Sequence, residues 1–183
     1  MYLSSVIKSI QRGTISIGTG QSSNTATITA VDTNNAYVEF GGFGGDVGQL
    51  ASSGLNKGPV TLYLTNSTTV TAQRDTTGTT DAVTVPYQVI EYYPGFLKSV
   101  QRGTITLAGV ASNTATITSV DTAKSYVIFG GWRRDETSAY TANAQSRWWP
   151  WLVLTNGTTV TANFTSAPTG NVIMPYQVIE HAK

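Results

Sequence analysis

The chain of 183 residues contains no cysteine, one histidine and only 11% charged residues, with a formal net charge of +1. Without cysteine there is no disulfide framework and no thiolate metal cluster, so stability must come from packing or assembly. The single histidine, His181, has no second histidine with which to build a zinc site or a nucleophile–base pair, and its place near the C-terminus predicts fraying. Sparse, balanced charge excludes the long-range field of a dedicated nucleic-acid or membrane-surface binder. No stretch approaches the about 20 apolar residues of a membrane span. The opening MYLSSVIKSIQRG lacks the apolar run and cleavage pattern of a signal peptide, so a soluble product made without an export signal is expected. Glu, Lys and Leu, strong helix formers, are scarce.

What is abundant is Thr, Ser, Gly, Val and Ile, the composition of strands and turns. The chain also repeats itself. SIQRGTISI from Ser9 returns as SVQRGTITL from Ser99, SNTATIT occurs at Ser23 and Ser112, and TTVTA at Thr68 and Thr158. FGG occurs at Phe40 and Phe129, and PYQVIE at Pro86 and Pro175. Gln11 recurs as Gln101 and Asp32 as Asp121, a spacing of 89 or 90 residues. That period is too long for a solenoid unit and fits one small domain per repeat. The expected division is residues 1–92 and 97–183, joined by the short YPGF stretch from Tyr93, which leaves the two units little freedom to separate.

Within a repeat, apolar residues alternate with polar ones: Ile15 and Ile17; Ala26, Ile28 and Ala30; Val38 and Phe40; Val85, Tyr87 and Val89. Period-2 patterns bounded by Gly, Asn and Ser predict strands with one buried face. VLTNGTTVTA from Val153 predicts a hairpin with Asn156-Gly157 in a type I′ turn, with a counterpart at Asn66-Ser67. VDTNNAY and VDTAKSY predict turns begun by Asp32 and Asp121. About six strands per repeat, all joined by turns, predict an all-β chain of two tandem homologous β-sandwiches or small β-barrels.

The repeats part company between FGG and the hairpin. The first reads FGGDVGQLASSGLNKGP from Phe43, and the second WRRDETSAYTANAQSRWWPW from Trp132. The second loop holds every tryptophan of the protein, Trp132, Trp148, Trp149 and Trp151, with Arg133, Arg134 and Arg147. Trp and Arg dominate interface hot spots, so these residues, with Phe43, Leu50 and Leu55 of the first loop, are expected to bind a partner. One indole is expected to cap the core instead, and sugar stacking on an exposed indole is the competing use. Asp135 and Glu136 offset the arginines and argue against single-stranded nucleic acid. The glycine-rich first loop lacks the Lys-Ser/Thr and helix of a phosphate-binding loop.

Catalytic chemistry is not legible. Asp32, Asp121, Glu91 and Glu180 recur with the scaffold, as do Arg12 and Arg102, and each arginine is expected to pair with a carboxylate of its own repeat. Asp75 and Asp81 bracket a polar turn with too few acidic ligands for calcium. An enzyme, a cofactor and a bound metal are not expected.

The phrases KSIQRGTISI, SNTATITAVDT and LTNSTTVTA, followed by YQVIE, resemble the short β-rich modules of virion structural proteins of tailed bacteriophages, once per repeat and over nearly the whole chain. That resemblance implies a virion structural protein, assembled in the host cytoplasm, that decorates a capsid or serves as a tail accessory. It implies other virion proteins as partners, self-association, no nucleic acid and no membrane, and it carries no functional residue over. The alternative expectation is a carbohydrate-binding, lectin-like module for host recognition. A polysaccharide hydrolase is the third, and it lacks an evident carboxylate pair.

Overall fold

The computed structural model describes residues 6–45, 59–74, 82–135, 150–168 and 170–183. It is all-β, with no helix among these residues. The first repeat runs β1 (Ile7–Ile17), β2 (Ser23–Thr27), β3 (Ala36–Phe40), β4 (Gly44–Gly45), β5 (Val60–Asn66), β6 (Thr69–Arg74) and β7 (Val83–Tyr92). The second runs β8 (Leu97–Ala108), β9 (Ser112–Thr116), β10 (Ser125–Phe129), β11 (Arg133–Arg134), β12 (Trp151–Asn156), β13 (Thr159–Asn163) and β14 (Asn171–His181). Each repeat pairs its strands antiparallel into a larger sheet, β1-β7-β3 or β8-β14-β10, and a three-stranded sheet, β2-β6-β5 or β9-β13-β12. The short β4 and β11 continue the β3 and β10 edges along β7 and β14.

The core of each sandwich lies between its sheets. Ile15, Ile17, Val38, Val60, Leu62, Val70, Val85 and Val89 fill the first, and Ile105, Leu107, Val160, Phe164, Val172 and Met174 the second. Alternation aims these side chains inward. The pattern breaks after Thr27: Ile28 and Val31 are buried, whereas Ala30 is exposed. Here the chain leaves the ladder to cross the β5–β6 turn, with Ile28 N–H and Val31 N–H donating to the carbonyls of Thr68 and Ser67.

Pro86 and Pro175 sit in central strands, where a missing N–H ordinarily breaks the ladder. The Pro86 carbonyl accepts from Gly41, so the side lacking the donor faces the gap between β3 and β4, where no strand pairs with it among the described residues. The gap removes the cost.

The repeated phrases are clasps. The amides of Gln11 and Gln101 each bind both the N–H and the C=O of a backbone residue, Thr29 or Thr118, at 2.7 and 2.9 Å. Asp32 and Asp121 accept the N–H of Asn34 and Ala123, as the turn chemistry predicts. The hairpin is present, but its register differs from expectation. Asn156 pairs with Thr159, leaving Gly157-Thr158 in the turn, and Gly157 does not take positive φ. Asn156 Oδ1 accepts from Thr158 N–H at 2.9 Å, and Asn66 does the same for Thr68. The turn is therefore fixed by the asparagine side chain, which explains why Ser67 serves as well as Gly157.

Candidate functional site

Two features could engage another molecule: the contact between the repeats, with the cleft beside it, and the surface flanking the divergent loops. The contact is one-sided. The first repeat supplies the β3 and β5 edge together with Ile90 and Tyr92 of β7; the second supplies the outer face of β8-β14-β10 and its Gly130-Gly131 pair. Gln177 clasps Val38, accepting from its N–H at 3.1 Å and donating to its C=O at 2.6 Å. Arg102 donates to the Ala36 carbonyl. Leu62 N–H donates to Gly130 O at 2.7 Å, and an isolated bridge joins Thr61 to Gly131. A side chain on Gly131 would collide with the Val60 carbonyl, so glycine is required there for the close backbone approach.

Tyr37, Leu97 and Ile179 form a third apolar cluster across the contact. Beside it Tyr37, Tyr92, Tyr126 and His181 stack in a ring of four, with centroids 5.8–6.5 Å apart. Burial, with the adjoining hydroxyls of Tyr126 and Tyr92, pushes the Tyr37 phenol far above its ordinary pKa. His181 is thus no frayed end. It closes β14, its N–H donates to Lys124 O, and its ring is held between tyrosines of both repeats.

The arginine–carboxylate pairing expected from the sequence is not what forms. Arg12 donates to Gln88 at 2.8 Å, and Arg102 reaches across to the first repeat. The lysines take the carboxylates instead: Lys8 meets Glu91 and Lys98 meets Glu180, each at 2.8 Å. Both arginines stand on the outer face of the sheet, away from the strand end where these glutamates point. Burial would raise the pKa of Glu91 and of Glu180. The N–H of Asp32 or Asp121, the neighbouring lysine and Ser9 or Ser99 more than offset it and hold both carboxyls below the ordinary range.

A cleft of about 490 Å³ opens between the repeats. Tyr63, Leu64 and Gln73 line one wall, and Arg102, Thr104 and Pro175 the other. Burial pulls the Arg102 guanidinium below its ordinary pKa, yet an arginine stays charged. The lining has an aromatic ring, amides, hydroxyls and a cation, but no carboxylate, imidazole or thiol among the described residues. That chemistry suits holding a polar or anionic group.

Of the residues expected to bind a partner, Phe43, Trp132, Arg133, Arg134 and Trp151 lie among the described residues. Trp132 meets Phe164 edge to face at 5.7 Å and packs on the second core. Arg134 is 3% exposed. Arg133 lines the cleft and bonds to Asp135 at 3.1 Å. Trp151 and Phe43 are exposed, at 46% and 39%. Leu50, Leu55, Arg147, Trp148 and Trp149 lie outside the described residues, as does the Asp75–Asp81 turn. Sequence reasoning missed Gln177, Gly130-Gly131 and the aromatic ring. The recurrence of FGG and of Gln88 as Gln177 was the available signal. Among the described residues no group of three His, Cys, Asp or Glu side chains could hold a metal ion, and no helix is long and apolar enough to cross a membrane. The chain matches no family model, no curated protein and no solved structure.

Proposed function

We propose that this chain is a bacteriophage virion structural protein, a capsid decoration or accessory protein that binds other virion proteins through the stretches in which its repeats differ. One observation carries the reading. The polar groups shared by both repeats are consumed in scaffold bonds, whereas Trp151 and Phe43 stand exposed beside the two unlike loops. Exposed aromatics beside divergent loops are anchors for a partner, not groups that do chemistry. The virion setting is supported by the resemblance of the repeated phrases, and duplication lets one polypeptide offer two related but unequal surfaces. The test is co-sedimentation with purified particles, followed by imaging. Decorated particles, with binding lost when the 132–151 loop is replaced by its 43–59 counterpart, are expected. Particles that never retain the chain overturn the reading.

A second reading is favoured by the cleft: a carbohydrate-binding module using Tyr63, Gln73 and Arg102. Saturable binding on a glycan array, abolished in Trp148→Ala or Arg102→Ala, would support it over the first.

A further inference from the structure

The cleft between the repeats is lined where the repeats differ. Its floor is one face of β8 and β14, where Arg102, Thr104 and Thr106 stand opposite Gln177, Pro175 and Ile173. Its other wall is the outer side of β5 and β6, with Tyr63 and Gln73. The repeats agree on part of this lining: Arg102, Thr104 and Pro175 have identical counterparts in Arg12, Thr14 and Pro86. They part on the rest. Tyr63 stands where the second repeat has Val153, Gln73 where it has Asn163, and Arg133 where the first repeat has Gly44. Three departures from a shared frame thus converge on one cavity, adding a ring, an amide and a cation.

The side chains of this lining offer donors in excess of acceptors. In the first repeat the guanidinium is spent on an amide, Arg12 Nε donating to Gln88 at 2.8 Å. Arg102 instead gives Nη2 to the Ala36 carbonyl, and its Nε and Nη1 have no partner among the described residues. Arg133 bonds through Nη1 alone, to Asp135 and the Arg134 carbonyl, which leaves Nε and Nη2. Tyr63 Oη donates to Gln73 Oε1 at 3.3 Å, so the Gln73 NH2 group is the donor left over. No carboxylate lines the cleft to accept from the hydroxyls of a neutral sugar, whereas free guanidinium N–H groups match an oxyanion. Arg102 and Arg133 lie against Gln177 and Ile173, four residues or about 13 Å apart along β14. A cation therefore stands at each end, and exposed Asp135 offsets the second, making Arg102 the stronger seat. Building on the carbohydrate reading above, we propose that the cleft binds an acidic saccharide, with a carboxylate seated on Arg102 and the sugar chain running toward Arg133. Pro175, Ile173 and the Tyr63 ring meet the apolar faces of the sugar, and Gln73, Thr104 and Thr106 its hydroxyls. The volume of about 490 Å³ is that of a small-ligand site.

A glycan array of uronate-bearing, sialate-bearing and neutral members tests it, followed by calorimetry of the full chain with the strongest acidic member and its methyl ester. The acid is expected to bind, and the ester, which keeps the sugar and loses the charge, to bind roughly 10- to 100-fold more weakly. Arg102→Gln should erase that preference and Arg102→Lys should retain part of it. Because Arg102 also holds Ala36, Arg133→Gln is the second variant: its bonds stay within its own repeat, and it should narrow the preference to a smaller degree. Melting verifies that the variants fold. Neutral glycans held as tightly as acidic ones, or acid and ester bound alike, overturn the proposal and leave the carbohydrate reading standing. A preference that survives both glutamine variants overturns it as well. An array that holds no glycan overturns both. Citrate or inorganic phosphate displacing the acidic glycan at equal concentration marks a general anion site and overturns the saccharide assignment.

Discussion

Strands β7 and β14 share the spelling PYQVIE but are buried differently. Along β7, exposure alternates residue by residue; along β14 every position from Met174 to Glu180 is buried. The difference is the first repeat lying on the outer face of the second. Gln88 and Gln177 show it in one side chain: the first sits near the surface with Arg12, and the second is 5% exposed and holds Val38. The floors of the sandwiches differ too. At matching positions the first repeat buries Arg74, whose guanidinium donates to the carbonyls of Gln21 and Gly18, and the second buries Phe164 against Trp132. Equivalent positions in a duplicated frame are held alike where the residues match and their bonds stay within one repeat, as for Glu91 and Glu180.

The strongest way to break this asymmetry is at the paired glycines. Gly131→Ala should lose about 2–4 kcal/mol, from backbone strain plus collision with the Val60 carbonyl. Gly42→Ala should lose about 1 kcal/mol, from strain alone. Denaturant unfolding at low concentration compares them, and equal losses would mean the contact contributes nothing. Next come the glutamates, where the repeats should behave alike. Glu91→Ala and Glu180→Ala each strand a backbone N–H in a nearly closed site, at a cost of roughly 1–3 kcal/mol. Both folded carboxyls titrate below the ordinary value of 4.5. Their stabilisation is therefore complete above that pH and is lost as the pH falls through the folded value. Melting temperature should drop on acidification below about pH 4.5, and less so in the double Gln variant. The smallest effect sharpens the comparison: Gln177→Ala should cost about 1–2 kcal/mol and Gln88→Ala under about 0.5.

Much of the frame was legible because its causes are near in sequence. The alternation of Val83, Val85, Tyr87 and Val89 and the Asx turns at Asp32 and Asp121 each act over a few residues. The hairpin at Asn156 was legible, but its turn type was not, since Asn-Gly suits two registers and the side chain of Asn156 selects one. Arg12 and Arg102 were misassigned for a different reason. A carboxylate is their strongest partner in solution, but strand geometry aims the guanidiniums and Glu91 and Glu180 to different parts of the sheet. The candidate site was legible only as a list of unusual residues, of which Trp132 and Arg134 proved to be taken up by packing.

By itself the sequence determined an all-β chain, its duplication and the turns begun by Asp32 and Asp121, because pleat periodicity and turn chemistry are properties of short segments. Only the tertiary structure decided which edge and which face would be covered. Residues such as Gln88 and Gln177 are chemically identical. A single short joint brings the β3 and β5 edge of the first repeat onto the outer face of the second, and so buries Gln177 while Gln88 stays near the surface.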